Sequence, residues 1–104
     1  MTDRPISEEY RIVAKKFVDA DAAANLLEET KSAVLSQQMM ALGDMPVSRA
    51  EMQVKASGQW HQHIEAMVEA RKQANTLKCQ LEYIRMKFSE RQSEEATARA
   101  ERKL

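Results

Sequence analysis

An apolar repeat of seven residues runs almost unbroken through the second half of the chain. If Trp60 takes position a of the heptad, His63 is the only polar side chain at the a and d positions before residue 89. A three-four spacing held over this length is typical of a helix that packs along another helix rather than of a strand. The remaining a and d positions are Met67, Ala70, Ala74, Leu77, Leu81, Ile84 and Phe88.

The composition favours a protein made almost entirely of helices. The 104 residues include two Gly and two Pro, and strong helix formers such as Ala, Glu, Lys and Arg dominate. A chain of this length forms one domain at most. The 16 basic and 16 acidic side chains cancel, so no overall field attracts nucleic acid or an anionic membrane.

The sequence also predicts a cytoplasmic protein. No apolar run approaches the roughly 20 residues that cross a bilayer. The N-terminus has no basic flank followed by an apolar core, so we expect neither a signal peptide nor a membrane partner. The single cysteine, Cys79, cannot form an internal disulfide and suits a reducing compartment.

One principal turn divides the chain into a helical hairpin. Gly43 can adopt the left-handed conformation that ends a helix, and Pro46 cannot continue one. Ser48 and Glu51 have the spacing of a capping box that begins the next helix. We therefore predict a single all-α hairpin domain over 1–104, with helix one at about 7–42, the turn at 43–47, helix two at about 48–88 and a polar helical extension at 89–104.

Helix one carries an apolar seam that matches the seam of helix two. Antiparallel pairing about a turn centred on Val47 opposes large side chains to large ones and alanine to alanine, which supports close packing of the helices. The same register brings Asp21 close to Arg71 and leaves one polar layer, Lys31 with His63. The other layers are Tyr10 with Ile84, Val13 with Leu81, Phe17 with Leu77, Ala20 with Ala74, Ala24 with Ala70, Leu27 with Met67 and Val34 with Trp60.

Two segments of helix two leave alternatives open. Gly58 marks a kink, a bulge or a second helix start, because glycine inside a helix costs roughly 1 kcal/mol relative to alanine. The segment 89–104 has no apolar seam but keeps high helix propensity, so it is either a solvated helix end or a segment held by a partner. We expect the partner-binding function to lie in this segment.

A second set of apolar side chains lies off the seams. A two-helix hairpin cannot cover two apolar faces, so the simplest prediction is a two-fold homodimer that forms a four-helix bundle. The alternative is a docking surface for a foreign protein. The candidate residues of this face are Ile12, Leu26, Ala33, Met40, Ile64, Val68, Tyr83 and Met86.

A basic stripe follows one edge of helix two, at the e positions of the heptad. Such a stripe can follow a phosphate backbone, which makes nucleic acid a candidate partner. Pairing with acidic side chains of the neighbouring helix is the more ordinary role of e positions, as Asp21 with Arg71 illustrates. The candidate nucleic-acid contacts are Arg71, Lys78, Arg85 and Arg99.

No group of residues predicts a chemical reaction. His61 and His63 are two residues apart and point in different directions on a helix, so they cannot share a metal. Cys79 lies some 24 Å along the helix from the histidines, too far for a catalytic pair. There is no phosphate-binding glycine loop and no nucleophile elbow. We therefore predict no catalytic residues, no metal, no cofactor and no small-molecule substrate.

The segment from Glu69 to Lys78, followed by Leu81 to Phe88, resembles the C-terminal half of small uncharacterised phage and prophage proteins. These proteins are often carried near recombination or replication genes. The resemblance implies an accessory role in a phage and supplies no site residues. Together, these patterns predict a non-enzymatic interaction protein, a phage-derived accessory or inhibitor that binds a host or phage protein. The alternative is a nucleic-acid-binding accessory protein of recombination or replication.

Overall fold

The computed structural model describes residues 5–103, and this part of the chain is all-helical, as predicted. The molecule is an elongated rod that measures 83 × 22 × 19 Å. The longest helix packs antiparallel along the first, so the central hairpin of the prediction is confirmed. In chain order the helices are α1 (Ile6–Glu29), α2 (Lys31–Ala41), α3 (Val47–Lys55) and α4 (Gly58–Arg102).

Helix one is interrupted at Thr30, whereas the sequence predicts one helix over 7–42. The Thr30 hydroxyl donates to the carbonyl oxygen of Leu26 at 2.8 Å and contacts that of Leu27 at 3.3 Å. A threonine hydroxyl bonded to the carbonyl four residues earlier bends a helix. The Val34 amide still donates to the Thr30 carbonyl at 2.9 Å, so the chain bends here without leaving the helical path. Beyond the bend, α2 packs mainly against α3.

The turn after α2 contains the predicted left-handed glycine but not the predicted capping box. Gly43 has a φ of 84°, which a side chain would strain. The residue before α3 is Pro46, whose carbonyl accepts from the Ala50 amide at 2.9 Å. Since α3 starts at Val47, Ser48 lies inside its first turn and no side chain caps the helix. The predicted capping role of Ser48 is therefore wrong.

Helix two is divided as well, and a new helix starts at Gly58. Ser57 caps this helix, because its hydroxyl oxygen accepts from the Trp60 amide at 3.2 Å. The same hydroxyl donates to the Val54 carbonyl at 2.6 Å, so one side chain joins the end of α3 to the start of α4. Of the three alternatives at Gly58, the second helix start is the one observed. From there α4 runs for 45 residues without interruption, through the polar extension as far as Arg102.

The core is thin and divides between two places. One part follows the contact of α1 with α4, where alanines allow the helices to lie close together. The other part lies at the closed end of the rod, where α3 covers the start of α4. Ala50 and Val54 of α3 belong to this second part and were not predicted. In the part of the chain that the structure describes, the buried apolar residues are Ala24, Ala50, Val54, Trp60, Ala74, Leu81 and Ile84.

Candidate interaction surfaces

Arg71 joins α4 to α1 on one side of the rod, which we call the Arg71 flank. Its Nη1 donates to Asp21 Oδ1 and its Nη2 to Asn25 Oδ1, both at 2.7 Å. Nε and Nη2 also donate to the two carboxylate oxygens of Glu28, at 2.9 and 3.0 Å. The predicted proximity of Asp21 and Arg71 is confirmed. Asn25 and Glu28 were missed, although they follow Asp21 at the four- and seven-residue spacing of one helix face.

The contacts of Arg71 shift two pKa values in opposite directions. The hydrogen bond from Arg71 holds the pKa of Glu28 below its usual value. Hydrogen bonds to Glu28 and then to Asp21 raise the pKa of Arg71. The Arg71 side chain keeps 30% of its surface exposed, and exposed ion pairs contribute little to stability. We therefore assign this cluster mainly to fixing the register of α4 against α1.

A second pair of contacts lies at the open end of the rod, where α1 begins. Lys87 Nζ contacts Glu9 Oε2 at 3.4 Å. Arg85 donates to the Tyr10 hydroxyl at 2.8 Å, with its guanidinium carbon 5.6 Å from the centre of the Tyr10 ring. Lys87 is about 160° around α4 from Arg71. The side that carries Glu9 and Lys87 is therefore the opposite side of the rod, which we call the Lys87 flank.

Part of the predicted second apolar face lies on the Arg71 flank. Val68 and Ile64 precede Arg71 by three and seven residues, so all three share one side of α4. On α1, Val18 precedes Asp21 by three residues and lies on the same flank. Val18 is 62% exposed and Val68 is 63% exposed, whereas Ile64 is half-buried. This flank therefore presents apolar side chains next to a charged cluster.

Another part of the predicted face lies on the Lys87 flank. Ile12 follows Glu9 by three residues, and Tyr83 precedes Lys87 by four. Leu26 follows Ile12 by two heptads and so lies on the same side of α1. Leu26 and Tyr83 are largely exposed, and Ile12 is half-buried. The two flanks face in opposite directions, so one flat partner surface cannot cover both.

The last three residues of the predicted face lie elsewhere. Ala33 and Met40 continue the seven-residue spacing of α1 but are in α2, beyond the bend at Thr30. Met86 is on the outer side of α4, because it is two residues from both Ile84 and Phe88, which belong to the seam. All three are exposed. The structure thus distributes the eight predicted residues over several surfaces.

An apolar groove of about 450 Å³ lies at the open end of the rod. Ile6 and Tyr10 of α1 line it on one side, and Ile84 and Phe88 of α4 line it on the other. Phe88, a predicted seam residue, remains 47% exposed because α1 begins at Ile6 and offers no further side chains to cover it. Ile6 was not predicted to line this surface, because it lies outside the predicted bounds of helix one.

Two members of the predicted basic stripe are engaged within the hairpin. Arg71 bonds to three side chains of α1, and Arg85 lies over Tyr10. Lys78 and Arg99 are exposed, and Arg99 Nε approaches the Glu95 carbonyl at 3.4 Å. Arg71 therefore fills the ordinary role of an e position by pairing with acidic side chains, whereas Arg85 contacts an aromatic side chain. These contacts do not favour phosphate binding, and nucleic acid stays an untested prediction.

The histidines and the cysteine lie at separate points of α4. His63 is half-buried and stacks on Trp60, with ring centres 5.9 Å apart. His61 Nε2 is 3.0 Å from Glu65 Oε1, and Cys79 is exposed. Among residues 5–103, no three His, Cys, Asp or Glu side chains are grouped so that they could hold a metal ion. Within the same range, no helix combines the length and the apolar character that crossing a membrane requires.

Comparison of the chain with protein-family models, with curated proteins and with solved structures found no match.

Proposed function

We propose that this chain is a non-enzymatic helical interaction protein, a phage-derived accessory or inhibitor that works as a homodimer and binds another protein. The observation that carries the proposal is the amount of surface left uncovered by a single copy. The chain exposes 8250 Å². A compact monomer of 11.9 kDa exposes about 5,950 Å², which leaves an excess of about 2,300 Å².

This excess is larger than one ordinary interface requires. A standard protein interface hides about 800 Å² on each partner. An excess nearly three times that area suits a chain that contacts more than one other molecule.

The thin core and the exposed apolar side chains also favour association with other molecules. Within residues 5–103, the core holds three alanines and four larger side chains, and Trp60 is still 6% exposed. Small helical units with so little buried surface gain stability by association. The exposed large apolar side chains are Val18, Leu26, Met40, Leu42, Val47, Met52, Val68, Tyr83, Met86 and Phe88.

We assign the protein partner to the two flanks rather than to residues 89–104, because the described residues of that segment expose no large apolar side chain. Each flank presents apolar side chains beside charged ones, which is the usual arrangement of an interface core with a polar rim. An amphipathic helix laid along either flank would cover Val68 on one side or Leu26 on the other.

Capture from a host lysate with flank variants tests this assignment. We expect the unmodified protein to retain a defined partner protein. Either Val68→Glu or Leu26→Glu, depending on which flank binds the partner, should reduce this retention about tenfold. That reduction corresponds to a loss of 1.4 kcal/mol in binding free energy. The matched control is Met40→Glu, another exposed apolar position, which lies in α2 away from both flanks. Circular dichroism verifies that all three variants keep the parent's helix content.

Two results would contradict the proposal. Retention of no protein by the parent at micromolar concentration would remove the partner. Equal retention by both flank variants and by Met40→Glu would remove the flanks as the binding surface.

A further inference from the structure

One continuous stripe of α1 side chains lies on the Lys87 flank. Its members follow Glu9 at alternating three- and four-residue spacing, so they stay on one side of the helix. Lys16 and Asp19 in the middle of the stripe are exposed, and within residues 5–103 neither takes part in an ion pair. The stripe consists of Glu9, Ile12, Lys16, Asp19, Ala23 and Leu26.

A second stripe, on α4, shares this flank. It has the same alternating spacing, and all of its members are exposed. Its middle is uncharged, with Glu69 at one end and Lys87 at the other, so the stripe complements a reversed copy of itself. The members are Glu69, Gln73, Thr76, Gln80, Tyr83 and Lys87.

The contacts between the two helices determine which parts of the stripes lie at the same height along the rod. Arg71 contacts Asp21 and Glu28. Lys87 contacts Glu9. Between these contacts, position 78 of α4 lies level with positions 17 and 18 of α1, which are also the middle of α1. Position 78 is the midpoint between the two charged ends of the α4 stripe.

We propose that the Lys87 flank binds the same flank of a second copy of this chain, with the two rods antiparallel. The two-fold axis passes at position 78 of α4 and between positions 17 and 18 of α1. Each helix then lies against its own equivalent, and the dimer is a four-helix bundle. This inference rests on the homodimer of the proposed function and names the surface that forms it.

Charge complementarity on both helices supports this axis. On α4, Glu69 lies opposite Lys87 of the second copy, and the symmetry repeats the pair. On α1, the same axis sets Lys16 opposite Asp19 of the second copy, again twice. The two stripes have independent sequences, yet one axis gives four ion pairs and sets no like charges opposite each other over positions 9–26 and 69–87.

The same axis covers the exposed apolar side chains of the flank. Ile12 lies opposite Ala23 of the second copy, and Leu26 lies within one turn of its Ile12. Tyr83 lies opposite Gln73 of the second copy. Leu26 is 63% exposed and Tyr83 is 64% exposed in a single copy, so both gain a neighbour in the dimer.

The flank also offers the area that a stable dimer needs. The 24 residues of α1 extend for about 36 Å, and the rod is 19–22 Å across. The flank therefore presents about 700–800 Å² on each copy, close to the roughly 800 Å² that each partner hides in a standard interface. The Arg71 flank stays uncovered and is left to the protein partner.

Two single charge reversals test the axis. Lys16→Glu sets two carboxylates opposite each other in both α1 pairs, and Asp19→Lys sets two amines opposite each other. In sedimentation equilibrium of the full chain, we expect each variant alone to dimerise at least tenfold more weakly than the parent. An equimolar mixture should recover a heterodimer with close to the parent's affinity, because the new carboxylate at position 16 then faces the new amine at position 19.

Variants on the opposite flank are the matched controls. Lys78 is exposed and lies half a turn around α4 from Lys87, so Lys78→Glu makes the same change of charge away from the interface. Val68 and Leu26 are each 63% exposed. Leu26→Glu should weaken the dimer about tenfold, whereas Val68→Glu and Lys78→Glu should dimerise like the parent. Circular dichroism verifies that every variant keeps its helix content.

The outcomes distinguish this inference from the homodimer on which it rests. A parent that is monomeric at micromolar concentration overturns both. If the parent dimerises and the two charge variants dimerise equally well alone, or if their mixture fails to recover, the inference is overturned and the homodimer stands. Loss of the dimer in Val68→Glu but not in Leu26→Glu would also overturn the inference, and would assign the dimer to the Arg71 flank.

Discussion

Replacing Ala74 with leucine overfills the packed contact between α1 and α4. Ala74 and Ala24 are completely buried, and no large side chain of the described residues is buried to the same extent. Small, fully buried side chains at these positions let the two helices lie close together. A leucine at this position must either move α4 away from α1 or adopt a strained conformation, because packed interiors hold few empty spaces of that size.

The expected loss of stability is about 1–3 kcal/mol, the usual cost of overpacking a well-filled core. Thermal unfolding followed by circular dichroism measures it, at one fixed protein concentration because self-association shifts the midpoint. Each kcal/mol should lower the melting temperature by about 4–8 °C for a domain of this size. Ala24→Leu should behave similarly. If the two alanines share one packed region, the loss of stability in the double variant should differ from the sum of the two single losses.

Ala66→Leu is the matched control, because Ala66 is exposed on the same helix. Leucine and alanine both favour helices, so this change should alter stability by no more than about 0.5 kcal/mol. If Ala74→Leu melts at the same temperature as the parent and as Ala66→Leu, then α1 and α4 are not closely packed at Ala74 and the register of the hairpin is wrong.

Two further predictions follow from individual hydrogen bonds. Ser57→Ala removes the cap of α4 and should lower the free energy of unfolding, measured with urea, by about 0.5–2 kcal/mol. Ser48→Ala removes no cap and should lower it by less than about 0.5 kcal/mol. Equal losses in the two variants would argue against the observed start of α4. The lowered pKa of Glu28 means that its contribution to stability is complete above its unfolded value of about 4.3 and is lost as the pH falls through the lower folded value. Melting temperatures recorded from pH 6 to pH 2 should therefore fall less steeply below about pH 4 in Glu28→Gln than in the parent, and parallel curves would contradict the reasoning.

The pairing of the two long helices could be predicted because it depends on a periodic pattern. Heptad spacing identifies which side of each helix is buried, and the single glycine–proline turn limits the register to a narrow range. The contact of Arg71 with Asp21 followed from that register. Asn25 and Glu28 could have been found by the same reasoning, since they share the face of α1 that carries Asp21.

The positions of the helix breaks could not be predicted with the same success, because several residues fit the same local rule. Ser48 and Ser57 both have the character of a cap, but Pro46 starts α3 early enough to place Ser48 inside the helix. Thr30 lies in a continuous helical pattern, and only its bonds to the Leu26 and Leu27 carbonyls reveal the bend. The division of the second apolar face between two flanks was missed for a related reason. Heptad spacing shows which side of each helix is apolar, but which sides of two helices form one surface depends on how the helices pair.

The continuity of α4 also fixes how the two ends of the molecule are rotated relative to each other. Each residue of an α-helix turns the chain by about 100° and advances it by about 1.5 Å. One residue inserted between Ser89 and Glu90 would therefore rotate the polar helical extension, residues 90–102, by about 100° relative to the Arg71 and Lys87 flanks. An insertion of seven residues would restore the original orientation to within about 20° while moving the segment outward by about 10.5 Å. Length and rotational phase can thus be changed separately in this helix, which acts as a rigid spacer between the surfaces at its two ends.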